Sequence, residues 1–414
     1  MNWTITGRRI GRGSVAALVS AALGFGTISC SRDFTVAYVY ATAASGTTGF
    51  VDGYLVDYQS GALTPLANSP TSSGGRNPVT LVAAPSGKYI YVLNQDDSNV
   101  VQFAVGTDGK LYAANTYNTL GSFPVAAAVD PTGSYLYVAS TYQPGFTRAL
   151  PGPGNLTVFP INTTDGTLGK PTSVATGNTP IGVTVSTIPN GATTRYIYVA
   201  DRETTTAAGS ANPQPQGFIQ TFAQAQGSAT LTRVTAGEAA PQGTSTGVQP
   251  SGISVDPTSR FVYVTDQLSN QVGGYLVTST GLPRAMTNGP FATGQFPSSL
   301  TIDPRGKYLY VTNFNASSVT AYTIDQATGN LAGSVGSSSV DVKTNPTCVT
   351  IEPALGIYLY TSNNGDQTIS GLQLSPNNGT LKNIQNTPYP ATALPSCLVA
   401  VANGQHATQV VNNQ

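Results

Sequence analysis

Charge, tryptophan and histidine are nearly missing from this chain, and each shortage closes off a class of activity. Only 9% of its 414 residues are Asp, Glu, Lys or Arg, against ~25% in an average soluble domain. Gly, Ser, Thr and Asn carry solubility instead, as suits a rigid all-β chain with many turns. The 18 basic and 18 acidic residues cancel, and three of the basic ones, Arg8, Arg9 and Arg12, stand near the start. No basic stripe is left to follow a phosphate backbone, so nucleic acid is not an expected partner. The one tryptophan is Trp3 and the one histidine is His406. Trp-Asp repeats, tryptophan-based quinone-cofactor motifs, a Ser/His/Asp set and a glycine-rich phosphate loop are all missing. A general base must reach the proton it removes, and a histidine in the polar C-terminal tail is expected to be solvated.

Cysteine is scarce too, at three residues. Cys30 ends a readable leader: the arginines form a positive segment, 15–25 is apolar, and Thr27-Ile28-Ser29 supplies small residues before the cysteine. This pattern predicts a secretory signal over 1–29, too short for a stable membrane span. Its ending resembles a bacterial lipoprotein signal in which Cys30 is lipidated, although Thr27 stands where leucine is usual. The alternative is an ordinary cleaved signal, and Arg8-Arg9 leaves the export route open. The expected organisation is a lipid-anchor linker over 30–35, a folded body over 36–407 and a polar tail over 408–414. On this reading the protein is an exported monomer of the bacterial cell envelope that meets the membrane only through its lipid anchor.

What the chain has in abundance is repetition. Seven prolines, Pro78, Pro124, Pro180, Pro250, Pro297, Pro346 and Pro395, each open a short apolar run. Six of the runs lead into a strand-like segment: YIYVLN (89–94), YLYVAS (135–140), YIYVAD (196–201), FVYVTD (261–266), YLYVTN (308–313) and YLYTSN (358–363). A seventh copy, YVYATA (38–43), has no opener before it, and Pro395 has no such segment after it. A period in the forties built from short alternating strands predicts an all-β fold, a seven-bladed β-propeller with four-stranded blades. The split copy predicts a ring closed by pairing 396–401 with 38–43, which covers edges that would otherwise aggregate.

One unit, 249–294, shows the expected blade. Pro250 opens the first strand, and Asp256-Pro257-Thr258-Ser259 turns into the second, as Asp130-Pro131 and Asp303-Pro304 do elsewhere. Proline presets φ at the second turn position and the Asp can bond the turn backbone. Cys348 and Cys397 each follow an opener by two residues, where other copies have Thr80, Ala126, Gly182, Gly252 and Ser299. Small residues throughout imply crowding near the axis. Equivalent positions in successive blades should point the same way round the ring, so two buried free thiols are expected, with a disulfide as the alternative.

The intervals from Pro124 to Pro180 and from Pro180 to Pro250 are stretched to roughly 56 and 70 residues. The surplus falls in 141–154, 202–217 and 235–249. These connect second to third strands or one blade to the next, and such connections share one face. A raised lip over blades 2 and 3 is therefore expected, either a binding feature or neutral drift in loops. The second strands end in Asn94, Ser140, Asp201, Asp266, Asn313 and Asn363. If these positions share a rim, their oxygens suit Ca²⁺ better than zinc; alternatively they bond turn backbone. Asp201-Arg202-Glu203 begins the longest insertion and could meet a polar ligand or pair internally. The candidate ligand-binding set is thus Asn94, Asp201, Arg202, Glu203, Asp266, Asn313 and Asn363.

With YVTN standing at 310–313 and a near copy at 264–266, the region from about Phe34 to Gln405 resembles the seven-bladed lactonase-like propellers with YVTN repeats. The resemblance implies seven four-stranded blades. It also implies hydrolysis of sugar lactones such as 6-phosphogluconolactone in some members, by way of a histidine directly after an opener proline. Here those positions hold Val79, Val125, Ile181, Ser251, Ser298, Thr347 and Ser396. Lactone opening would then need a carboxylate or a metal-bound hydroxide. The expectation is a binding or scaffold module for a small-molecule, carbohydrate or protein ligand, with a lactonase, metal-dependent or not, as the alternative.

Overall fold

The computed structural model describes residues 34–188, 191–203, 216–235, 243–333 and 338–404. The leader with Cys30 and the tail with His406 lie outside them. From Thr35 onward the described residues form seven antiparallel sheets and no helix. Blade 1 is typical: Pro78–Ala83, Tyr89–Asn94, Asn99–Val105 and Leu111–Asn118 pair in sequence order. Blades 2 to 6 begin with Ser122–Val129, Pro180–Val185, Pro250–Val255, Pro297–Ile302 and Pro346–Ile351. The innermost strand of each contacts those of its neighbours round the ring.

Blade 7 joins the two ends of the fold. Leu394–Ala402 pairs with Thr35–Ser45, aligning Tyr38 with Val401 and Tyr40 with Val399. Thr48–Asp57 and Leu63–Pro65 complete that sheet. The predicted closure is present.

The recurring Tyr-x-Tyr motif bolts each blade to the next. The second tyrosine of each copy is fully buried, and burial raises its phenol pKa above the usual value near 10. Its hydroxyl donates to a glycine carbonyl in the following blade's turn between third and fourth strands. These bonds run from Tyr91 to Gly166 (2.8 Å), Tyr198 to Gly281 (3.0 Å), Tyr263 to Gly329 (2.6 Å) and Tyr310 to Gly379 (3.0 Å). Tyr360 to Gly61 (2.6 Å) and Tyr40 to Gly109 (2.5 Å) carry the pattern across the closure. Tyr137 departs from it and donates to Gln224 Oε1. The first aromatic of the motif packs on the same glycine. A Cβ on Gly379, whose φ is +73°, would lie 2.3 Å from the Tyr308 ring. Glycine is required there both for the left-handed backbone and for the close approach.

The turns after the innermost strands behave as expected. Asp303 Oδ1 accepts from Lys307 N (2.7 Å) and Tyr308 N (2.8 Å). Glu352 holds the same place in blade 6 and accepts from four backbone N–H groups. Asp130 also forms a buried ion pair with Arg195 of blade 3, which clamps the two blades with the longest connections.

The cysteine expectation is overturned: Cys348 and Cys397 are disulfide-bonded, with Cα atoms 4.9 Å apart. Crowding at the axis is the reason. Adjacent innermost strands approach so closely there that a Cβ on Gly182 would lie 2.9 Å from Ile253, and one on Gly252 2.9 Å from Leu300. At such spacing the side chain two residues past the opener abuts its neighbour sideways instead of running parallel to it.

Candidate functional site

Backbone register puts the opener prolines and the ends of the second strands on one face: Pro78 lies opposite Asn94, Pro180 opposite Asp201 and Pro297 opposite Asn313. The 141–154 connection leaves its sheet on that same face, where the paired strand ends at Glu203 and Gln216 also lie. The residue before each of the first six openers is left-handed: Asn77, Phe123, Thr179, Gln249, Phe296 and Asn345, with φ between 50° and 63°. This kink feeds the chain into the axis. Asn accepts it at modest cost, whereas the β-branched Thr179 and the bulky Phe123 and Phe296 stand in a region such side chains rarely occupy.

The residues after the openers line the mouth and divide it in two. Ser251, Ser298, Thr347 and Ser396 each donate sideways to the carbonyl of the next opener. The partners are Pro297 (2.6 Å), Pro346 (2.6 Å), Pro395 (3.5 Å) and Pro78 (2.8 Å). Val79, Val125 and Ile181 form the other, apolar arc. In that arc longer side chains make the sideways bond from a neighbouring position: Gln95 Nε2 donates to Pro124 O (3.3 Å) and Arg202 Nε to Pro250 O (2.8 Å). Six of the seven openers thus accept a bond from the preceding blade. The sequence named these positions but did not reveal this bonding, because the acceptors are backbone carbonyls roughly one repeat away.

The candidate residues share this face; Asn94, Asp266, Asn313 and Asn363 are engaged within their own blade or with the strand before it, and Arg202 with the following blade. Asn94 donates to Ser73 O (3.2 Å) and Asn99 Oδ1 (2.9 Å). Asn313 donates to Ser318 and Thr320, and Asn363 to Thr368 and Ser370. Asp266 accepts from Val248 N (2.8 Å) and Gln271 Nε2 (3.3 Å). Ser140 is buried at the corresponding place. Asp201 is fully buried opposite Phe218. The Arg202 guanidinium is largely buried, which lowers its pKa from the usual arginine value, and it also donates to Gln267 Oε1 (3.2 Å). Glu203 pairs through its backbone with Gln216; its side chain and 204–215 lie outside the described residues. Among the described residues no three His, Cys, Asp or Glu side chains come together as a metal cage.

The blade 2 insertion, by contrast, builds a surface. Its strand extends to Tyr142, and the loop folds on itself through Gln143 N to Pro153 O (2.9 Å) and Thr147 N to Leu150 O (2.9 Å). Tyr142 meets Phe123 edge-on with ring centroids 6.0 Å apart, and the Arg148 guanidinium lies 5.8 Å from the Phe123 centroid. Blade 5 repeats the theme with Phe296 and Phe314, centroids 6.0 Å apart. The strained phenylalanines were missed at sequence level, although the signal was there: they stand directly before Pro124 and Pro297.

On the opposite face the Asp-Pro turns do not seal the axis. A cavity of about 440 Å³ opens there beside Ala83, Pro85, Ala128, Pro353, Val399 and Val401. Small side chains at the ends of the innermost strands leave this space, and its walls are mostly apolar.

A ring of seven four-stranded blades with a mouth at its axis defines a β-propeller. Residues 37–206 and 216–351 match the family model "Lactonase, 7-bladed beta-propeller", and the chain belongs to that family. Among solved structures it is similar to a putative 6-phosphogluconolactonase from Bacteroides uniformis, at 19% identity and a TM-score of 0.68, over 89% of this chain and 100% of that one. It is also similar to a Bacteroides fragilis protein titled a putative 6-phosphogluconolactonase, at 20% identity and a TM-score of 0.65, over 89% and 98%. The periplasmic gluconolactonase PpgL of Pseudomonas aeruginosa aligns at 18% identity with a TM-score of 0.64, over 91% and 100%. At such identities the likeness speaks for the fold. No curated protein matches the chain.

Proposed function

We propose that this protein is a binding module of the cell envelope that captures a small carbohydrate-like ligand on the face bearing the blade 2 and 3 insertions. The platform of Phe123, Tyr142 and Arg148 carries this reading. An aromatic held in a costly backbone conformation at the mouth of a rigid scaffold is where function tends to retain strain, and aromatic faces with a polar rim suit sugar rings. The mouth hydroxyls and Arg202 are already engaged by neighbouring blades, which leaves them poorly placed as general acids, bases or nucleophiles. Export and anchoring through Cys30 belong to the same proposal and rest on the leader sequence.

Family membership favours a second reading, hydrolysis of a sugar lactone, and one experiment separates the two. Purified protein is tested against a panel of sugar lactones, with and without Ca²⁺ or Mg²⁺, and in parallel against a carbohydrate array. The binding reading expects no lactone opening above the buffer rate, and array capture that Phe123→Asn abolishes. Asn occupies the same left-handed position as Asn77 and Asn345, so the fold should survive this change. Saturable lactone opening that persists in Phe123→Asn would establish the second reading instead.

A further inference from the structure

A crevice between blades 3 and 4, away from the axial mouth, has been emptied of its internal partner. It lies between Thr244–Val248 of blade 3 and Gln271–Val277, the third strand of blade 4, and encloses about 280 Å³. Its origin is Gly273, which pairs with Val264. The equivalent positions in the other six blades hold Asp52, Val101, Thr157, Gln220, Thr320 and Ser370. Only blade 4 has glycine there. A glycine inside a strand weakens it and often marks close approach of a ligand or another backbone.

Two changes at this place are matched. In blades 5 and 6 the side chain opposite is a hydroxyl, and it accepts from the asparagine that ends the second strand. Asn313 Nδ2 lies 2.8 Å from Thr320 Oγ1, and Asn363 Nδ2 lies 2.9 Å from Ser370 Oγ. In blade 4 the hydroxyl is gone and the asparagine is replaced by Asp266. An amide with its internal acceptor has become a buried carboxylate, 2% exposed, facing a space. Its contacts are the neutral donors Val248 N, Gln271 Nε2 and, at 3.4 Å, Ser269 N. Among the described residues no Lys, Arg or His forms an ion pair with it. A buried carboxylate is costly without an opposite charge.

We propose that this crevice binds a primary alkylammonium ligand. The Asp266 carboxylate takes the ammonium group. The Tyr275 ring lies over Gly273, where an added Cβ would be 2.9 Å from its hydroxyl oxygen, and that hydroxyl donates to Ser245 O (3.3 Å). Tyr275 thus offers an aromatic face to the cation, and Met286 offers the methylene groups an apolar wall. The volume admits a chain of about four carbons with its ammonium, judged against the ~30 Å³ that one water occupies in the liquid.

The repeat supplies its own controls. Asp266→Asn restores the residue found in blades 1, 5 and 6, and Gly273→Thr restores that of blade 5. Binding of n-butylammonium to the full chain is measured by calorimetry, with 1-butanol as the uncharged comparison and thermal melting as the check on folding. The wild type should bind n-butylammonium and not butanol. Asp266→Asn should weaken binding at least tenfold, and Gly273→Thr should abolish it by displacing the Tyr275 ring that lies over Gly273. No binding by the wild type at millimolar concentration, equal binding by Asp266→Asn, or equal affinity for butanol overturns the proposal. If Gly273→Thr fails to fold, Asp266→Asn decides alone. Carbohydrate capture at the mouth is a separate readout, so either site can fail without the other.

Discussion

Removing one oxygen from Tyr310 tests whether the Tyr-x-Tyr motif holds the ring together. Its hydroxyl reaches Gly379 O at 3.0 Å between blades 5 and 6, from a side chain with no exposed surface. A net hydrogen bond contributes about 1 kcal/mol, and leaving the buried carbonyl without its donor raises the cost to about 3. Tyr310→Phe should therefore destabilise by about 1–3 kcal/mol in urea unfolding, with the denaturant slope unchanged because no surface is newly exposed. Tyr91→Phe and Tyr360→Phe should behave alike, since they make the same bond one or more blades away. Tyr112→Phe is the control, at a residue 56% exposed, and should cost less than about 0.5 kcal/mol. If all three buried variants also fall below that value, the hydroxyl-to-glycine bonds do not bear on stability and packing alone joins the blades.

Alkaline pH perturbs the same bolts without mutation. Burial raises the phenols of Tyr263 and Tyr310 above their unfolded value, so their contribution is whole below about pH 10 and is lost as pH rises beyond it; a melting temperature that stays flat from pH 9 to 12 would refute this. Reduction of Cys348–Cys397, or Cys348→Ser with Cys397→Ser, opens a link between residues 49 apart in sequence and should cost about 4 kcal/mol in the chain-entropy view; identical melting with and without reductant would deny the bond a role. Arg195→Ala strands the buried Asp130 carboxylate and should cost about 3–5 kcal/mol, and a loss under 1 would mean that water reaches the carboxylate. Deleting 391–414 removes the strand that pairs with Thr35–Ser45 and should yield insoluble or protease-labile protein; a soluble truncation that melts like the parent would contradict the shared blade.

The fold was legible because its signals are local and repeated. Openers, Asp turns and alternating strands recur at a period that permits few architectures, and the split seventh copy announced the closure. Signals that run between repeats were not legible. The sequence shows tyrosine and, elsewhere, glycine, but not that Tyr310 meets Gly379. The cysteines failed for the same reason: their pairing depends on how closely two innermost strands converge, a distance no single repeat contains. Strand counting brought the candidate residues together on one face, as the register does. Their engagement by Ser73, Thr320 or Ser370 depends on the third strand and on the preceding blade.

That division of labour bears on what the mouth can do. At six of the seven junctions a blade is fastened to the next twice, by a tyrosine deep in the sheet and by a donor at the rim, and the two fastenings constrain chemistry differently. The buried bond accepts little variation, since only a tyrosine fills the space and reaches the glycine carbonyl. At the rim the task is only to donate to an opener carbonyl, and serine, threonine, glutamine or arginine all manage it. A short hydroxyl next to the opener reaches sideways and stops there, so Ser251, Ser298 and Ser396 secure the ring at the cost of a free reactive group. Where the donor comes instead from Gln95 or Arg202, the residue after the opener is released from that duty, and in this chain it is Val79 or Ile181. The apolar arc is therefore the part of the mouth free to change without loosening the ring, and it adjoins the platform of Phe123 and Tyr142. Selection for a ligand would act first on that arc, where side chains can be exchanged at no mechanical cost.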